Sequence, residues 1–364
     1  MITTSHLIYQ WCTLGGVERC IINRALALKA VGSLHRLSIS FLHYNALRPF
    51  QEAVRKYDVE DYLTVMTNIP PADRYVLLDT PCWELIPDGK PVIVECHTTY
   101  PENQVYLKNL PRFVSGVICP SDHLRETIAP LVGPETRIMT VENYVHTTPN
   151  RGSLTAARDR PRTFFTFGRM DHWKNHTEAL AIFGEVARRD PSSQFVISGN
   201  SVADAETLDY LEELKLLGRI TLIPPMPFEA VSEFLRQRHS ERAVFLSSSR
   251  GESFGLAAIE VMANGIPVVL SAVEGHQSIA PDTKSLYELG NISDGADKLM
   301  YISDHWAEQS ESSIRTSRRF QDKNSVAKQW ERAIEQMAPR RATRGLWDMD
   351  YGEMTASLEQ SRHI

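Results

Sequence analysis

Residues 243–272 read AVFLSSSRGESFGLAAIEVMANGIPVVLSA. AVFLSSS is a short apolar run ending in hydroxyls, and RGESFG is a turn with two glycines. LAAIEVMA carries helical apolar spacing and stops at Asn264 and Gly265, and PVVLSA is a second short apolar run. Strand, turn, helix and strand in that order predict a parallel crossover unit. The turn lies between the carboxyl end of a strand and the start of a helix. There, unpaired backbone N–H groups and the positive end of the helix dipole favour an anion. Gly255 has no Cβ and lets the backbone approach closely.

Working outward, the same alternation fills both halves of the chain. Before the stretch come TFFTFG, TEALAIFGEVARR, QFVISG, DAETLDYLEELKLLG, RITLIPP and FEAVSEFLRQR. The front half runs HLIYQWC, VERCIINRALALKAVG, LSISFLHY, YVLLD, PVIVECH, GVICPS and DHLRETIAPLV. Repeated strand–helix pairs predict an α/β chain of two Rossmann-like parallel-sheet domains, whose ligands bind beyond the carboxyl ends of the strands, facing across a cleft. The expected division is a first domain over 1–148, a linker over 149–162 where Pro, Gly, Thr and Arg break the pattern, and a second domain over 163–321. A last helix over 322–338 is expected to return to the first domain, followed by a tail over 339–364.

The totals agree with this reading. A chain of 364 residues with 42% hydrophobic and 23% charged residues fits two soluble-type domains. The formal net charge of −6 speaks against a nucleic-acid partner, which would need an excess of Lys and Arg. The five cysteines are odd in number and never spaced C-x-x-C, so reduced thiols and a cytoplasmic setting are expected. The start, MITTSHLIYQW, lacks a basic segment followed by an apolar core, which predicts no secretory leader.

Glu252 in the turn and Glu260, read as two turns inside the helix, stand eight residues apart. They would bracket a ligand whose middle is phosphate and whose ends carry hydroxyl pairs, which describes a nucleotide sugar. TFGRMDHWKNH adds Arg169 and Lys174 just beyond another strand. Two cations at a strand's carboxyl end suit a diphosphate leaving group, on which negative charge grows as the glycosidic bond breaks. A lone Arg/Lys pair is more often a solvated basic loop. Its place on the same domain edge as GESFG shifts the balance toward function.

FTFGRMDHWKNHTEAL, FVISG, the 243–272 stretch and the early TLGGVERC together resemble the retaining glycosyltransferases of family 4, which have the GT-B fold. The resemblance covers most of residues 10–335. It implies that Arg169 and Lys174 bind the donor diphosphate and that Glu252 contacts the transferred sugar. It places Ser253, Phe254, Gly255 and Leu256 at the donor through backbone amides, and Glu260 on the ribose. Gly15 and Gly16 would approach the donor from the first domain, His97 of ECHTT would lie near the reacting face of the sugar, and Asn143 of VENYV would be structural. The implied reaction moves a hexose-type sugar from a UDP-, GDP-, ADP- or dTDP-linked donor to a sugar, lipid-linked or small-molecule acceptor. It proceeds by front-face substitution, without metal or other cofactor. Three departures from the family pattern stand out: Gly199-Asn200-Ser201 after FVISG, VEGHQS without a glutamate at the usual place, and a short segment over 41–96.

Several features invite other readings. His172 and His176 are four apart but lack the glutamate of a zinc-protease motif, so no zinc site is expected. Asp348 and Asp350 form a D-x-D in the tail, where chance acidic residues are the better account. Arg340, Arg341 and Arg344 are read as a solvated tail, with weak peripheral contact at an anionic inner membrane face as the alternative. Cys12 and Cys20 are expected to pack as small apolar groups. The rival functions are a nucleotide-sugar epimerase of the same fold and a non-catalytic scaffold that only binds a sugar nucleotide. A dehydrogenase would need G-x-G-x-x-G, which opens neither domain.

Overall fold

The computed structural model describes residues 2–147, 161–199 and 205–337. Most of the expected linker, Asn200 and Ser201, Asp348, Asp350 and the tail arginines lie outside the described residues.

Seven parallel strands build the first sheet: β1 (Thr3–Trp11), β2 (His35–His43), β3 (Leu63–Met66), β4 (Arg74–Leu78), β5 (Val92–Glu95), β6 (Val114–Cys119) and β7 (Arg137–Thr140). Six form the second: β8 (Thr163–Phe167), β9 (Gln194–Ser198), β10 (Ile220–Ile223), β11 (Val244–Ser247), β12 (Val268–Ser271) and β13 (Leu286–Tyr287). The orders are β3-β2-β1-β4-β5-β6-β7 and β10-β9-β8-β11-β12-β13. Each sheet therefore reverses direction once, between β1 and β4 and between β8 and β11. Such reversals open a crevice at the carboxyl edge. Strands covered on both faces read as unbroken apolar runs, and every residue of β5 and β6 is buried.

Helices α1 (Gly16–Ala30), α2 (Leu47–Lys56) and α3 (Asp122–Ile128) belong to the first sheet. With the second lie α4 (His176–Arg189), α5 (Ala205–Glu213), α6 (Phe228–Ser240), α7 (Leu256–Ala263), α8 (Glu274–Gln277), α9 (Ile292–Asp304) and α10 (Trp306–Ser317). The last helix, α11 (Lys323–Gln336), lays Ala327, Trp330, Ala333 and Ile334 into the core of the first sheet. There the Arg24 guanidinium sits 4.1 Å from the centre of the Trp330 ring.

Along α1, Cys20, Ile21, Ala25 and Leu28 are buried. So are Glu18, Arg19, Asn23 and Arg24. The helix is covered on more than one side, by its own sheet, by α11 and by the second domain, so its polar residues need partners inside the protein. Among the described residues no helix is long and apolar enough to cross a membrane.

Candidate active site

The loops that follow β8 and β11 are tied together by short polar contacts. The Ser248 hydroxyl donates to the carbonyl of Asn175 at 2.8 Å, and the Arg250 amide donates to the carbonyl of Trp173 at 2.8 Å. Asp171 accepts from the Lys174 amide at 2.9 Å, which turns the loop so that the Lys174 side chain reaches Glu252. The Lys174 ammonium donates to Glu252 Oε1 at 2.5 Å and the Ser249 hydroxyl donates to the same oxygen at 2.7 Å.

His276 completes this cluster. It is buried, and its Nδ1 lies 3.0 Å from the Ser271 carbonyl, which can only accept, so the proton belongs on Nδ1. Nε2 faces Glu252 at 4.0 Å. Burial pushes the imidazole below its ordinary pKa, against the pull of Glu252. Burial acts the other way on Glu252, but Lys174, His276 and the bonds from Lys174 and Ser249 outweigh it and hold the carboxyl down at about 2. Arg169, Lys174, Glu252, Gly255 and His276 line one open cavity.

Two glycines set this geometry. Gly255 precedes α7 at φ +77°, a left-handed conformation that side chains resist, and a Cβ there would lie 2.6 Å from Ile279. The requirement for glycine thus comes from the turn and from its packing. At Gly275 a Cβ would fall 2.0 Å from the Glu252 carbonyl oxygen, so α8 rests directly on the GESFG turn.

Across the cleft, the loop after β5 reaches the same place. Tyr100 stacks on Trp173, with ring centres 4.2 Å apart and planes 12° from parallel, and its hydroxyl accepts from Arg169 at 3.2 Å. Arg169 also lies 3.3 Å from Asp171. His97 heads this loop, yet its side chain turns inward: Nε2 is 2.9 Å from Glu95 Oε1, and its amide is held by the Asp79 carboxylate. Glu95 is gripped by Arg24 through both oxygens. Burial disfavours the charged carboxylate, but Arg24 and His97 prevail and depress its pKa.

The remaining expected residues are spread around this centre. Gly15 caps α1, and its amide is occupied by Glu18 at 3.1 Å, whereas Gly16 has open space where a Cβ would be. The Ser253 carbonyl accepts from Ser121 of the first domain at 2.6 Å. The Phe254 side chain points into the core against Phe320. Leu256 opens α7, so Glu260 is its fifth residue, just over one turn in and not two. The structure does not bring Glu260 into the cavity of Lys174 and Glu252. It is buried and paired with Arg19 at 2.7 Å.

Sequence reading passed over Arg19, Glu95, Ser249 and His276. Arg19 and Glu95 stand inside the quoted TLGGVERC and ECHTT, and His276 in VEGHQS. Local spacing does not mark Arg19, Glu95 or His276, because Glu260, Arg24 and Glu252 reach them from distant segments; Ser249 stands only three residues from Glu252.

Comparisons with known proteins bear on the family and the fold. Residues 154–320 match the model of the glycosyl transferases group 1 family. The second domain is a group 1 glycosyl transferase domain. A GDP-mannose:cellobiosyl-diphosphopolyprenol alpha-mannosyltransferase of Xanthomonas oryzae pv. oryzae is 27% identical over 208 residues, 54% of this chain and 53% of that relative. The aligned region thus spans about half the length of that relative. A D-inositol 3-phosphate glycosyltransferase of Corynebacterium diphtheriae is 31% identical over 140 residues, 37% of this chain and 31% of the relative. Among solved structures, S. aureus TarM in complex with Fondaparinux, alpha-GlcNAc-glycerol and UDP superposes with a TM-score of 0.72 at 13% identity, covering 92% of this chain and 100% of that one. Anabaena HepE in complex with UDP and glucose gives 0.71 at 15%, covering 92% and 99%. At such identities the likeness concerns the fold alone, and that fold is GT-B.

Proposed function

We propose that this chain is a retaining glycosyltransferase that moves a hexose-type sugar from a nucleotide diphosphate donor to a sugar, lipid-linked or small-molecule acceptor. The observation that carries the reading is the contact of Lys174 with Glu252 where the second sheet reverses, with Arg169 on the same cavity. UDP together with sugar compounds in two solved GT-B neighbours, and the named activities of the curated relatives, support it.

In this reading Lys174 and Arg169 meet the charge that grows on the departing diphosphate, together with the free amides that open α7. An ionised Glu252 held by two donors on one oxygen suits acceptance of sugar hydroxyls better than attack on carbon. Acceleration comes from placing the acceptor hydroxyl beside the departing phosphate, which takes its proton. The two side-chain cations take the part that a divalent metal plays in other transferases, so the reaction is proposed to be metal-independent.

A metal-free thermal-shift panel with UDP, GDP, ADP, dTDP and their sugar conjugates tests the proposal. A ligand bound by the native state alone raises the melting temperature. One nucleotide should raise it, and Lys174→Ala should abolish the shift. A flat response to every member of the panel would count against the reading.

A further inference from the structure

From the first domain, Arg19 reaches Glu260. Arg19, in the second turn of α1, donates from Nε to Glu260 Oε1 at 2.7 Å, with both side chains under 10% exposed. The rest of the guanidinium is fixed from both domains. Nη1 donates to the Tyr57 hydroxyl at 2.5 Å, and the guanidinium carbon lies 5.1 Å from the centre of the Tyr57 ring and 5.6 Å from that of Phe228. Tyr57 follows α2 of the first domain and Phe228 opens α6 of the second, and the Tyr57 hydroxyl donates to the Phe228 carbonyl at 3.3 Å. Two other ion pairs join the domains among the described residues, Lys56 with Glu229 and His123 with Glu274. Lys56 and Glu274 are mostly exposed, and screening leaves such pairs weak.

A buried carboxylate needs an opposite charge beside it, because desolvation penalises an unpaired one. Arg19 supplies that charge at 2.7 Å. It contacts one carboxylate oxygen through one N–H, and an ionised carboxylate offers about four lone-pair positions, so capacity remains for sugar hydroxyls. The planar fork, held by the Tyr57 hydroxyl and near the Tyr57 and Phe228 rings, also fixes the angle at which Glu260 is presented.

We infer that Arg19 is a positioning residue for the donor nucleotide: it pairs with Glu260 and fixes its direction, so that ribose recognition in the second domain depends on the seating of α1 of the first. The inference rests on the reading of Glu260 as the carboxylate that holds the donor ribose. Because the ion pair crosses the domain boundary, nucleotide affinity and domain seating become one equilibrium. A nucleotide that gains from Glu260 also favours the arrangement in which Arg19 reaches it.

The test is calorimetric titration of the full chain with UDP, GDP and ADP, followed by the 2′-deoxy form of whichever binds. Wild type, Arg19→Met, Arg19→Lys, Glu260→Gln and the Arg19→Met/Glu260→Gln double variant are compared. Losing a charge-assisted contact to the ribose-holding carboxylate is expected to weaken the ribonucleotide by about tenfold or more in Arg19→Met. The deoxynucleotide should change by less than about threefold, since it lacks one of the hydroxyls through which the effect is read. Arg19→Lys should recover part of the loss, and the double variant should bind no worse than Glu260→Gln alone. Equal losses for the ribo and deoxy forms, or losses that add in the double variant, would show that Arg19 acts elsewhere and overturn the inference while leaving the transferase reading intact. If wild type binds none of these and no dTDP, the transferase reading falls and the inference falls with it. Should Arg19→Met fail to fold, Arg19→Lys and the double variant, which leaves no buried charge unpaired, carry the same comparison.

Discussion

Replacing Gly275 by alanine should cripple the site while leaving most of the fold standing. The added Cβ would sit 2.0 Å from the Glu252 carbonyl oxygen, 2.7 Å from its carbonyl carbon and 2.9 Å from its Cβ. These are main-chain atoms and the root of a side chain, so no rotamer change relieves the contact. Real Cβ atoms essentially never come closer than 3.0 Å, so α8 and the GESFG turn must separate by about 1 Å. Glu252 moves with the turn, and its short contacts to Lys174 and Ser249 stretch. Displacing a positioned group by about 1 Å lowers rates by roughly a hundredfold. Overpacking of this kind destabilises by ~1–3 kcal/mol, and each kcal/mol lowers Tm by about 2–4 °C in a domain of this size. The assay is release of nucleotide diphosphate from the donor sugar alongside a thermal melt. Gly133→Ala serves as the control, since nothing lies within 4 Å of a Cβ there. A Gly275→Ala protein as active and as stable as Gly133→Ala would refute the reasoning.

Three further outcomes follow from the same contacts. Glu260→Ala should mainly weaken nucleotide binding, Glu252→Ala should lower turnover by about a hundredfold, and Lys174→Ala should do both; titration and steady-state kinetics on the three variants check this, and wild-type behaviour in all of them would dissolve the assigned site. Glu252, held at about 2 against an ordinary 4.5, and Glu95, also depressed, have folded-state pKa values below their unfolded ones. Their stabilisation is therefore present above about pH 4.5 and lost as pH falls toward 2, by roughly 3 kcal/mol for Glu252. Urea unfolding at pH 7 and pH 3 measures the difference, and Glu252→Gln should flatten it. Prolonged treatment with EDTA should leave transfer unchanged; activity that disappears and returns with a divalent cation would show a metal in the reaction.

The GT-B architecture was legible because its signals are local. Short apolar runs, glycine turns and helical spacing repeat along 243–272 and through both halves, and each is set by neighbours a few residues away. That Lys174, Arg169 and GESFG would share one edge also followed, since each comes just after a strand of one sheet and parallel strands put such loops together.

Other features depended on distant pairs. Spacing gave Arg19 no partner, and only the seating of α1 against α7 joins it to Glu260, 241 residues away. Similarly, His97 looked like a group facing the cleft, yet Glu95, already tied to Arg24, draws its ring inward. VEGHQS looked like a departure from the family pattern, whereas in the fold it supplies His276 beside Glu252 and the one residue, Gly275, small enough to lie beneath the turn.

By itself, then, the sequence determined the two sheets, their helices and the edge on which charge gathers, because hydrophobic period and turn chemistry act over a few residues. Only the tertiary structure decided which buried charges face one another. A desolvated carboxylate or guanidinium must find its partner wherever the packed chain brings one, and that distance is set by the whole fold.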